Sequence, residues 1–136
     1  CGGRAATPEH IGQVRQILEL VGSAVEVNEA QMDAVTGLSG SGPAYVYAVV
    51  DALADGGVRA GLPRDTALQL AAQTVAGAAQ MILQGEYHPA EIKEQDTTPG
   101  GTTIAGLHAL EQGGLRATLM NAVLEASDRS RELGSP

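Results

Sequence analysis

The run Thr97-Thr98-Pro99-Gly100-Gly101-Thr102-Thr103 is where residue types and spacing most clearly allow chemistry. Pro99 fixes one φ, the two glycines permit positive φ, and the pattern predicts a helix beginning near Thr102 or Thr103. Backbone N–H groups at a helix start have no intrahelical partner and carry the positive end of the dipole, which suits a carboxylate or a phosphate. Hydroxyls on Thr97, Thr98, Thr102 and Thr103 can add hydrogen bonds to the same anion. The plainer reading is an ordinary loop capped by a threonine. Two threonines on each side of Pro-Gly-Gly are more polar provision than a cap alone requires.

A second glycine-rich run, Gly37-Leu38-Ser39-Gly40-Ser41-Gly42-Pro43, raises the question of a nucleotide loop. A dinucleotide fingerprint needs a preceding strand, a following helix and correctly spaced glycines, and a P-loop needs Gly-Lys-Ser/Thr. The element before Gly37 is helical and the third glycine is misplaced, so a close-packing or kinked helix junction is the better reading. Ser39 and Ser41 as ligand contacts are the alternative. His10, His88 and His108 form no metal-ligand spacing with Cys1, the single cysteine, so no metal is expected. His88 precedes Pro89 and reads as a cap or surface residue. Glu86, near a helix end, either pairs with a base or is simply solvated. No nucleophile elbow is present, so if the chain serves an enzyme, the hard chemistry comes from a cofactor bound elsewhere.

Helices must position these residues. Thr7-Pro8-Glu9 starts one whose apolar stripe (Ile11, Val14, Ile17, Leu18, Val21) ends at Gly22. Ser23 to Val27 reads as a short strand, and one helix with one lone strand looks like the tail of an α/β domain whose body is absent. From Asn28 onward every periodic segment is helical: about 28–35, 43–60, 63–83, 89–95, 103–111 and 115–133. The segment 63–83 is apolar around most of its circumference, as in a helix covered on several sides. So small a domain has little interior to surround it, which points to a second subunit.

Composition agrees with that economy. The 136 residues include no Trp, no Phe, three Tyr and 18 Gly, so the core must be built from small and aliphatic side chains. Lys and Arg number 8 against 16 Asp and Glu, a formal net charge of −8, which argues against a nucleic-acid backbone as partner. Any anion must be held by local groups, since the overall field repels it. No apolar run spans a bilayer and no leader is evident, so a cytoplasmic location is expected, or a mitochondrial one in a eukaryote. The first residue is Cys1 rather than Met, which suggests a fragment, a processed form or a trimmed chain.

Longer runs carry a resemblance. Asp33-Ala34-Val35-Thr36-Gly37-Leu38-Ser39-Gly40-Ser41-Gly42-Pro43-Ala44-Tyr45, then Asp51 to Val58, Gly61-Leu62-Pro63, Thr98 to Ile104, Leu110-Glu111 and Arg129 to Leu133 resemble pyrroline-5-carboxylate reductase in the same order. The resemblance covers about Asn28 to Gly134, and Thr98 to Glu111 is similar to the family's signature.

The resemblance implies an all-α helical domain that forms an interlocked dimer, residues 28–136, preceded at 1–27 by the residual helix and strand of a nucleotide-binding domain. It implies proline synthesis from 1-pyrroline-5-carboxylate with NADPH or NADH, homodimers and in some members decamers. By the same resemblance Thr98, Gly100, Gly101, Thr102, Thr103 and Glu86 bind substrate, the backbone around Gly100 to Thr103 takes the carboxylate, and the Thr103 hydroxyl serves the imine nitrogen. No residue of this chain is assigned to the cofactor, so little or no activity is expected of it alone. A non-catalytic short form that dimerises with full-length subunits is the alternative from another class, and a different imine or ketone reductase is a third.

Overall fold

The computed structural model describes residues 1–85 and 88–134, and among these the regular elements are all helical. They fall into two compact units, one formed by Cys1–Gly42 with the chain from Ala122 onward, the other by Pro43–Asn121.

In the first unit, α1 spans Pro8–Leu18. Thr7 Oγ1 accepts from His10 N–H and His10 Nδ1 accepts from Thr7 N–H, both at 3.3 Å, so the helix start satisfies itself. The helix stops short of the expected Val21, and Leu20 and Val21 are exposed. The strand expected at Ser23 to Val27 does not form: 23–28 has no regular structure. A strand exists only by pairing, and no described segment pairs with this one.

Gln31 Oε1 then accepts from Asn28 N–H at 3.0 Å, opening a 3-10 turn Glu29–Gln31 that runs into α2, Met32–Val35. The glycine-rich junction does not break the helix but widens it, as a π-helical turn over Thr36–Gly40. Ser41 N–H reaches back to Thr36 O at 2.9 Å, and Ser39 Oγ donates to Val35 O at 2.9 Å. The turn lies against the second part of the last helix, α7, Leu115–Gly134. A Cβ on Gly37 would collide with Ser127 Oγ and come within 2.7 Å of Val123 O, so the backbones meet where only glycine fits. Ser130 Oγ donates to Asp33 Oδ1 at 2.7 Å across the same contact.

The second unit contains α3 (Gly42–Arg59), α4 (Arg64–Leu83), α5 (Pro89–Gln95), α6 (Thr102–Gln112) and the start of α7. Its buried centre is Ala54, Ala67 and Ala71, with Val50 and Val58 partly covered. A Cβ on Gly57 would stand 3.1 Å from Ala67 Cβ, so α3 and α4 approach through small residues. α3 closes with Leu62 N–H on Gly57 O at 3.0 Å and Gly61 N–H on Val58 O at 2.9 Å, a double bond pattern that turns the chain into Pro63 and α4.

Alanines bury little area, and apolar burial contributes only about 25 cal/mol per Å². Meanwhile α4, apolar around most of its circumference, leaves Leu68, Leu70, Met81 and Ile82 roughly half exposed and Leu83 at 81%. The single chain covers one side of α4 and leaves the rest open.

Candidate functional site

The turn between α5 and α6 is a chain of local decisions. α5 ends at Gln95, and Asp96 follows in helical conformation as its C-cap. Thr97 closes the helix: its N–H and its Oγ1 both donate to Glu94 O, at 3.1 and 2.7 Å. Thr97 is therefore engaged with its own backbone and does not supply the anion contact its position suggested.

Thr98-Pro99-Gly100-Gly101 then form a tight turn, with Gly101 N–H donating to Thr98 O at 3.0 Å. Pro99 sits where its φ is pre-set, and Gly100 takes φ +67°, the pattern of a type II turn. Gly101 is extended and is the N-cap of α6. A Cβ there would collide with Thr98 Oγ1 and lie 3.2 Å from Thr98 O, so a side chain enters the turn only if the Thr98 hydroxyl moves aside.

An N-cap without a side chain cannot satisfy the helix start. The N–H groups of Thr102, Thr103 and Ile104 have no hydrogen-bond partner among the described residues, and the first turn carries no acidic side chain. Three donors and the positive end of an 11-residue helix are left for something outside the chain.

A pocket of about 300 Å³ lies beside this start, walled by α4 (Ala78, Met81, Ile82), α5 (Pro89, Ile92, Lys93, Asp96) and α6 (Thr103, Leu107). Of the residues expected from sequence, only Thr103 lies on its wall. Thr98, Gly100 and Gly101 shape the turn, Thr102 is the first helical residue, and Glu86 lies outside the described residues. Lys93 and Asp96 are polar residues on that wall that sequence reasoning did not single out. Their signal was available: three positions apart at the end of a short helix, they share a face immediately before the turn.

The other candidates have structural roles. His88 Nδ1 accepts from Ala90 N–H at 3.2 Å and Glu91 Oε2 accepts from His88 N–H at 2.9 Å, a reciprocal cap for α5. Cys1 Sγ donates to Glu29 Oε2 at 2.8 Å. Among the described residues no group of three or more His, Cys, Asp or Glu could hold a metal ion, and no helix is long and apolar enough to cross a membrane. In the first unit a groove of about 190 Å³ runs along the apolar face of α1, walled by Ile11, Val14 and Leu18.

Comparison with known proteins shows the family. Residues 29–133 match the family described as pyrroline-5-carboxylate reductase dimerisation. The pyrroline-5-carboxylate reductase of Methanosarcina acetivorans is 56% identical over 132 residues, which is 97% of this chain and 49% of that protein. That of Pisum sativum is 56% identical over 131 residues, 96% of this chain and 48% of that protein. The chain thus spans about half the length of the curated relatives it matches. Among solved structures, the pyrroline carboxylate reductase of Plasmodium falciparum with NADP bound superposes with a TM-score of 0.91 at 35% identity, covering 99% of this chain and 54% of that one. The enzyme of Coxiella burnetii gives a TM-score of 0.92 at 33% identity, covering 98% and 50%.

Proposed function

The chain belongs to the pyrroline-5-carboxylate reductase dimerisation family, and from that premise we propose that it is the substrate-binding and dimerisation part of an enzyme reducing 1-pyrroline-5-carboxylate to L-proline, the last step of proline biosynthesis. One observation carries the reading: the start of α6 is uncapped, with three N–H groups that have no partner among the described residues, beside a pocket on whose wall Thr103 stands. The substrate is a five-membered ring bearing a carboxylate, which suits three convergent donors at a helix start and a pocket of this size.

In this reading the N–H groups of Thr102, Thr103 and Ile104 take the carboxylate and fix the ring. The Thr103 hydroxyl hydrogen-bonds the imine nitrogen and relays to it a proton taken up from solvent, regaining its own as that nitrogen becomes an amine. Thr98 and Glu86 complete the substrate contacts, and Gly100 and Gly101 hold the turn that presents the amides. Positioning of this kind supplies a large share of rate enhancement where the protein performs no covalent step.

NADPH or NADH would supply the hydride. The glycine-rich run of this chain does not fit a dinucleotide: it is a π-helical turn, no strand precedes it, and Gly37 is filled by Val123 and Ser127. No step is therefore assigned to a cofactor on these residues. We place the division between a nucleotide-binding remnant, 1–27, and the helical region, 28–136, near where the family match begins at residue 29.

The uncovered apolar surface of α4 supports pairing of two copies through the helical region, with decamers of such dimers as the larger assembly to look for. The purified chain is expected to sediment as a dimer, with a melting temperature that rises with concentration. It is expected to bind L-proline in calorimetry and to show no NADPH-dependent reduction by itself. A monomer that ignores proline at millimolar concentration overturns the reading.

A further inference from the structure

We draw no further inference here: the strongest candidate, the apolar groove of the first unit along α1, walled by Ile11, Val14 and Leu18, carries nothing because nothing in the structure shows what covers it.

Discussion

Helix α5 starts behind His88, whose Nδ1 accepts from Ala90 N–H while Glu91 reaches back to His88 N–H; α6 starts behind Gly101, which has no side chain with which to do either. Both helices belong to the same unit, and both starts face the same shortage of partners for their first N–H groups. At α5 the chain meets the shortage from within, with an acidic residue in the first turn complementing the dipole. At α6 it leaves the donors open, and a Cβ at position 101 would have to displace the Thr98 hydroxyl. A start that satisfies itself is scaffolding. A start kept open by a tight turn is available to a ligand.

Filling the open start is the strongest way to break the contrast. Gly101→Asp places a carboxylate on the orphan amides, and proline affinity is expected to fall by about a hundredfold while the melting temperature changes little, since the new cap offsets the crowding. Calorimetry and thermal denaturation on one sample check both halves. Thr103→Val keeps the shape and removes the hydroxyl; about a tenfold loss of proline affinity is expected, with helicity by circular dichroism unchanged.

Smaller effects sharpen the contrast from the structural side. Gly100→Ala asks an alanine to adopt φ +67°. The expected cost is about 1 kcal/mol in denaturant unfolding, with some loss of affinity as the turn shifts. Glu91→Ala removes half of the α5 cap and is expected to cost about 0.5–1 kcal/mol of stability with no change in proline binding. If Glu91→Ala weakened binding as much as Thr103→Val, the division between a structural and a ligand-holding start would fail.

Helix positions were legible from the sequence because punctuation and periodicity are local. Pro8, Pro89 and Gly61 stand where the helices begin and end, and Thr102 opens α6 as the Pro-Gly-Gly turn predicts. The strand at 23–27 was not, because alternation within one segment says nothing of whether a partner strand exists. Nor was the role of the 37–43 glycines fully legible: the π-helical widening answers to Val123 and Ser127, far along the chain. In the site, the amide-presenting turn could be read from residue types alone. Thr97 could not be separated from its neighbours, since only geometry shows its hydroxyl bound to Glu94. Lys93 and Asp96 were passed over because their meaning depends on α4 and α6 closing a pocket around them.

The central claim, that the open start of α6 holds the substrate carboxylate, is tested most directly by following backbone amide resonances of the chain as L-proline is added. The account predicts the largest shifts at Thr102, Thr103 and Ile104, saturating together, with the amides of Ala90 and Glu91 at the capped start of α5 unmoved. Saturable binding that leaves the α6 amides in place, or shifts both helix starts alike, would contradict it.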